Sequence, residues 1–150
     1  MSRTAAVITA SNRASKGLYA DTSGEILADG LKQLGYVVEP IVIVADDISQ
    51  IQDAIKNALA KKSDLIVTTG GTGISPTDVT PEATEELIEK LMPGIPEALR
   101  AYSREKVPTA DLSRGFAGVT GTSLIINLPG APGAVRDGLV IRSEEHTSEL

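Results

Sequence analysis

The 150-residue sequence has no cysteine, no tryptophan, one histidine and only 3% aromatic residues. Without thiols it can form no disulfide, no thiolate metal site and no cysteine nucleophile. The one histidine, His146, lies in a C-terminal segment set apart below. The rest of the chain therefore offers no imidazole for a Ser-His-Asp relay or a zinc centre. So few aromatic faces leave little for bases to stack on, and a formal charge of −6 opposes a phosphate backbone, so nucleic acid is not an expected partner. No run approaches the ~20 apolar residues of a membrane span, and the first apolar run is too short for a signal peptide. The expectation is a cytoplasmic protein with no membrane partner. What is present is ordinary: 41% hydrophobic and 23% charged residues, in a length that suits one domain with a real core.

The segment Arg142 to Leu150 reads R-S-E-E-H-T-S-E-L. The codons AGA TCG GAA GAG CAC ACG TCT GAA CTC encode it, and they match a common sequencing-library adapter read in frame. A polar helix end or a disordered tail has a similar composition, but agreement over the whole segment favours the adapter. The expected organisation is one domain over residues 1–141 and a non-native tail over 142–150, with the last helix truncated. Setting aside Arg142, Glu144, Glu145 and Glu149 leaves 13 of 14 basic and 17 of 20 acidic residues, a net charge of −4.

Strand and helix patterns alternate along the body. Ala5 to Thr9 reads as a first strand, followed by a polar loop. Leu27, Leu31 and Leu34 then recur at helical spacing up to Gly35, a natural residue after a helix end. Val37, Val38 and Ile41 to Val44 form a second strand region interrupted by Pro40, which predicts a sheet edge or a bulge. Ile48, Ile51, Ile55 and Leu59 make the next helical stripe, with Asp46 or Asp47 as its N-cap. Leu65 to Thr69 lacks alternation and predicts a strand buried on both faces. Thr80, Pro81 and Glu82 read as N-cap, first-turn proline and first-turn acid of a helix that Ala83, Leu87, Ile88 and Leu91 carry to Met92-Pro93-Gly94. Ile95, Leu99 and Tyr102 predict another helix, closed by Val107-Pro108. Phe116 to Thr120 and Leu124 to Leu128 read as strands joined through Gly121, and a last helix begins near Ala134. Such alternation predicts a layered α/β domain.

Candidate chemistry gathers at strand ends, where open α/β sheets bind ligands. Ser11 and Asn12 follow the first strand, Gly70 to Gly73 the third, and Asn127 to Gly133 the last. In Gly70-Gly71-Thr72-Gly73, backbone N–H groups freed of Cβ atoms can close around an anion, and Thr72 and Ser75 can add hydroxyl donors. Asp78 stands where a carboxylate could hold Mg²⁺ against phosphate oxygens. A plain tight turn is the simpler reading of the glycines alone. No G-K-[ST] is present, which excludes a Walker loop, and Pro76 occupies the third-glycine place of the dinucleotide fingerprint.

Residues 69–82, T-G-G-T-G-I-S-P-T-D-V-T-P-E, closely resemble the signature of the molybdenum-cofactor-biosynthesis domains, [ST]-G-G-[ST]-G-x-x-x-x-D-x-T-x-E. The resemblance extends to I-T-A-S-N-R-A-S-K-G near the start, to M-P-G-I-P-E-A-L-R, and to L-S-R-G-F-A-G with L-I-I-N-L-P-G. It spans Thr4 to Ile141 and is most similar to the bacterial Mog-type adenylyltransferases, with gephyrin G domains and MoaB-type proteins as relatives.

The resemblance implies a three-layer fold with a mostly parallel central sheet flanked by helices. It also implies an activity: AMP moves from Mg-ATP to the molybdopterin phosphate, and pyrophosphate leaves. ATP and molybdopterin are then the substrates and Mg²⁺ the cofactor. By the family's pattern Asp78 and Asp46 are the catalytic and Mg²⁺-holding carboxylates, with Asp47 a one-residue alternative to Asp46. Ser11, Gly70, Gly71, Thr72, Gly73, Ser75, Asn127, Pro129 and Gly130 match the substrate and nucleotide site. A homotrimer is implied too, and Met92, Ile95, Leu99 and Tyr102 offer apolar residues beyond one stripe. Two departures stand out: Asn12 replaces the Asp common in relatives, and the relatives' chain continues past Ile141. A non-catalytic molybdopterin-binding scaffold and a nucleotide pyrophosphatase domain are the alternative readings; the two aspartates disfavour the first.

Overall fold

The computed structural model describes the backbone of residues 2–148 and side chains through Val140. A seven-stranded sheet forms its centre, in the order β2-β1-β4-β7-β6-β5, with β3 also paired to β1. Strands β1 (Thr4–Ala10), β2 (Val37–Val38), β3 (Val42–Val44), β4 (Leu65–Thr69) and β7 (Ser123–Leu128) run parallel. The pair β5 (Lys90–Leu91) and β6 (Ala117–Thr120) is antiparallel, as is β6 with β7.

Two apolar clusters cover the two faces of the sheet. Alternate residues of β1 and β4, such as Val7 and Val67, meet Leu27 and Leu31 of α2 (Thr22–Gln33), Leu99 of α5 (Gly94–Arg104) and Val135 of α6 (Pro132–Ser148). The intervening residues, Ile8 and Ile66, meet Ile51 and Ile55 of α3 (Ile48–Ala60) and Ala83 of α4 (Thr80–Glu85). Each of these fully buried Ile and Leu side chains contributes ~1.5–3 kcal/mol relative to exposure. Both faces of β4 are covered, so its sequence shows no alternation. The result is three layers, helices on either side of a mostly parallel sheet.

Pro40 interrupts the edge strand as its missing N–H requires. Thr4 pairs with Val37 but Ile8 with Val42, so the edge gains one residue across Glu39–Ile41. Gly35, at φ 98°, follows the end of α2.

Three local expectations are corrected. The helix from Thr80 ends at Glu85, and Lys90–Leu91 is a strand rather than helix. The apolar spacing of Leu87, Ile88 and Leu91 imitates a helix, but the free edge of β6 offers Lys90 and Leu91 ladder bonds opposite Val119 and Gly118. Thr80 is not the N-cap: Val79 holds that position, and the Thr80 hydroxyl makes no cap bond. The loop after β1 contains one helical turn, α1 (Asn12–Ser15), whose N-cap Ser11 accepts from the Ala14 N–H. The expected non-native tail over 142–150, with His146, concerns side chains outside the described residues. Among the described residues no helix is long and apolar enough to cross a membrane.

Candidate functional site

The chain passes from β1 to one side of the sheet and from β3, through α3, to the other side of β1. This reversal opens a crevice beyond the carboxyl ends of β1 and β4. Gly70 and Gly71, at φ 97° and 69°, turn the chain there. A Cβ on Gly70 would stand 2.3 Å from the Ala10 carbonyl oxygen, so β1 and β4 can approach only through glycine. The opposite wall is Pro129–Gly130: the Thr69 hydroxyl donates to Pro129 O at 3.0 Å and the Ser23 hydroxyl to Gly130 O at 2.6 Å.

Asp46 and Asp47 have separate tasks. Asp47 caps α3, accepting from the Gln50 N–H at 3.0 Å. Asp46 pairs with the turn after β1: its Oδ2 accepts from the Asn12 N–H and its own N–H donates to Asn12 Oδ1. Burial pushes the Asp46 carboxyl above its usual range; the Asn12 hydrogen bond opposes this, and the negative charge of Asp78 adds to it. A Cβ on Gly71 would come 3.3 Å from Asp46 Oδ1. The two aspartates therefore sense each other across the glycine loop.

Asp78 closes that loop upon itself. Its Oδ2 accepts from the Ser75 N–H at 3.0 Å, and a Cβ on Gly73 would lie 2.8 Å from the same oxygen. Gly73 thus keeps room for the carboxylate. The Thr72 hydroxyl is buried and accepts from Ser113 Oγ, while Ser75 Oγ pairs with Thr77 Oγ1. Thr80 Oγ1, beside Gly71, is the buried side-chain polar atom without a partner among the described residues.

Beyond the loop lies an open cavity of about 910 Å³ between the glycines, α5, a 3-10 helix (Pro108–Leu112) and the start of α6. Gly70, Gly71, Thr72, Gly73, Asp78, Asn127, Pro129 and Gly130 all border it. Ser11 lies instead on a smaller cavity of about 150 Å³ that shares Gly70 and Gly130 with the large one. Ser75 and Asp46 border neither. The Asn127 side chain is fully engaged inside: Oδ1 accepts from the Phe116 N–H, and Nδ2 donates to the Thr68 and Thr84 hydroxyls.

Sequence reasoning missed the cations. Arg100, Lys106 and Arg136 border the large cavity, and Asp137 holds the Lys106 ammonium at 2.9 Å, raising its pKa. Arg114 grips the glycine loop from outside. Arg100 and Arg114 both fall within the stretches that carried the family resemblance, yet nothing in their spacing marked a role. Among the described residues no three His, Cys, Asp or Glu side chains converge as a metal site. What the site offers is two carboxylates against one glycine loop, with positive charge across the cavity that the loop borders. That arrangement can hold a polyphosphate and a cation together.

Comparison with known proteins agrees over nearly the whole chain. A family model described as "Probable molybdopterin binding domain" matches residues 6–143. The sequence is 44% identical over 138 residues to the molybdopterin adenylyltransferase of Helicobacter pylori strain ATCC 700392 / 26695, covering 89% of this chain and 77% of that protein. A solved structure described as the anomalous substructure of MogA superposes with a TM-score of 0.92 at 44% identity, covering 98% of each chain. The molybdopterin biosynthesis Mog protein from Mycobacterium ulcerans superposes at 0.91 with 46% identity, over 97% of this chain and 96% of that one. Since the match takes in both aspartates, the glycine loop and the sheet around them, this chain belongs to the molybdenum cofactor biosynthesis family of molybdopterin-binding domains.

Proposed function

We propose that the protein is a molybdopterin adenylyltransferase. An oxygen of the molybdopterin phosphate attacks the α-phosphorus of ATP, the bond to the β-phosphate oxygen breaks, and adenylylated molybdopterin and pyrophosphate leave. The observation that carries the reading is the placing of Asp46 against Gly71 and of Asp78 against Gly73, two carboxylates on one glycine loop at the ends of β1 and β4. A domain that only bound the pterin would gain nothing from two mutually repelling carboxylates beside its phosphate.

The residues fit a divalent cation. Mg²⁺ is commonly held by one or two carboxylates plus substrate phosphates, and Asp46 and Asp78 are such a pair. Burial and the Asp78 charge disfavour ionised Asp46 unless positive charge stands near. When bound, Mg²⁺ would neutralise charge on the phosphates. The chain itself positions the reactants: the backbone of Gly71 to Gly73 borders the cavity, the Gly70 N–H being spent on Leu128 O, and Pro129–Gly130 form the facing wall. Arg100 and Arg136 supply positive charge at the cavity where the pterin phosphate would lie. Such chemistry depends on positioning and charge neutralisation more than on a proton acceptor, which suits a body without histidine. The reading places the enzyme in the cytoplasm, where ATP is supplied.

A homotrimer belongs to the same reading. Met92, Tyr102 and Val107 leave apolar surface exposed around α5, while Ile95 and Leu99 are buried within the protomer. Light scattering of the purified protein should give three times the chain mass; a monomer would remove this part. The activity is tested by incubating the protein with molybdopterin and Mg-ATP. Pyrophosphate should appear only when both substrates are present. Release without molybdopterin would mark a nucleotide pyrophosphatase, and binding without release a scaffold.

A further inference from the structure

Arg114 lies outside the set of residues assigned above, yet it donates to three backbone carbonyls of the segment from Thr72 to Asp78. Its Nε–H donates to Gly73 O at 2.8 Å and its Nη2–H to Asp78 O at 2.9 Å. The Nη1–H donates to Glu82 Oε2 at 2.6 Å, and Nη2 also reaches Glu82 Oε1 at 3.3 Å. The Arg114 backbone N–H adds a bond to Thr72 O at 2.9 Å. One residue thus ties down both ends of the loop and the first turn of the helix that follows.

The consequence for Asp78 is direct. Its carboxylate turns back to accept from Ser75 N–H, and its own N–H donates to Ser75 O, so residues 75–78 form a small closed unit. That unit is joined to the rest of the protein at Gly73 and Asp78, the two carbonyls that Arg114 holds. A guanidinium presents its donors as a fixed planar fork, whereas an ammonium is a point charge on a flexible stem. A lysine could keep the charge but could not serve Gly73, Asp78 and Glu82 together.

The geometry points to Arg114 as a positioning residue for adenylyl transfer: clamped by Glu82, it fixes the glycine loop so that the Asp78 carboxylate faces the crevice. This rests on the functional reading above. It differs from a role in which the Arg114 cation binds substrate phosphate, since four of its five N–H donors are spent on two carbonyls and a carboxylate. The Glu82 carboxyl is held below its usual range, chiefly by the hydrogen bond from Arg114, as a committed ion pair requires.

The test uses Arg114→Lys and Glu82→Gln beside the wild type, with two readouts. The first is amide hydrogen exchange, which needs no activity. In Arg114→Lys the Ser75 and Asp78 amides should exchange roughly tenfold faster, with the β4 amides unchanged. Glu82→Gln should loosen the same amides to a smaller degree. The second is steady-state kinetics: kcat should fall by up to about 10²-fold in Arg114→Lys, with KM for ATP and molybdopterin nearly unchanged. Glu82→Gln again separates the two ideas. If Arg114 is a positioner, kcat falls; if it is a phosphate ligand, freeing it from Glu82 lowers KM. Unchanged exchange, a pure KM effect, or an unaffected kcat in a loosened loop would each overturn the inference. An inactive wild type would instead overturn the functional reading and the catalytic half of this one, leaving exchange to decide the clamp.

Discussion

Asn12 and Asp46 hold each other through a reciprocal pair of hydrogen bonds, Asn12 N–H to Asp46 Oδ2 at 3.1 Å and Asp46 N–H to Asn12 Oδ1 at 2.9 Å. An aspartate at position 12 could accept from the Asp46 N–H equally well, but it would bring a third negative charge beside Asp46 and Asp78. Asparagine keeps the latch and removes that charge. Asp46 is thereby fixed beside Gly71 of the glycine loop while its neighbour Asp47 caps α3.

The two neighbours should therefore respond differently to the same change. Asp46→Asn is expected to lower adenylyl transfer with the fold intact. Asp47→Asn should keep activity and cost at most about 1 kcal/mol, since asparagine also caps well. Pyrophosphate release and thermal melts of both variants check this, and a reversed result would give Asp47 the functional role.

Asp46→Asn has a second expected effect. Folding raises the Asp46 pKa, so its contribution to stability is complete only below the unfolded value and is lost as pH rises through the folded one. At neutral pH the ionised carboxylate weakens the fold. The Asn variant should melt higher than wild type at pH 7, and the gap should close towards about pH 3, where carboxyls are mostly protonated. A lower Tm at pH 7 would contradict this.

Asp78→Asn should fold normally and lose on the order of 10²–10³ in rate, by analogy with removal of one transition-state donor. Asparagine can still accept from Ser75 N–H, so the loop keeps its shape and only the charge is lost. Turnover at the wild-type rate would remove Asp78 from the reaction.

How far the sequence carried this reading depends on the range of the forces involved. The glycine loop was legible because glycine is demanded locally, by φ at Gly70 and Gly71 and by space at Gly73. The choice between Asp46 and Asp47 was not, because either can cap a helix and only the position of Asn12, 34 residues away, separates them. Strand β5 was hidden for a similar reason. Leu87, Ile88 and Leu91 fit a helix, and the edge of β6 that captures Lys90 and Leu91 lies far along the chain. Gly118 was the available signal, since a Cβ there would stand 2.6 Å from Lys90 O. Arg114 was invisible because two of its partners are backbone carbonyls, which carry no sequence identity.

Gly70→Ala should be the most damaging single methyl in the crevice. Its φ of 97° strains any L side chain, and the added Cβ would meet the Ala10 carbonyl oxygen, part of a paired strand that cannot yield. The strain alone costs about 1–3 kcal/mol, and the clash adds to it by parting the ends of β1 and β4. Both Tm and pyrophosphate release should fall, as denaturation and activity assays would show. A stable, active variant would mean the strand ends are not in contact.

Helix α6 is tied to the protein by Val135, which is fully buried, by Leu139, which packs on the same cluster as Leu27 and Leu31, and by Asp137, which accepts from Ser103 Oγ at 2.7 Å. All three anchors lie before Val140, which is half exposed. The sequence S-E-E-H-T-S-E that follows Arg142 holds no apolar residue with which to continue the stripe. Deleting Arg142–Leu150 should therefore change stability by no more than the ~0.5 kcal/mol typical of surface changes. Asp137→Ala, by contrast, should cost about 1–3 kcal/mol, because it strands the buried Ser103 hydroxyl. Urea denaturation of the two variants beside the full chain gives both numbers. A deletion as costly as Asp137→Ala would mean that the segment packs, and its reading as an adapter-derived tail would fall.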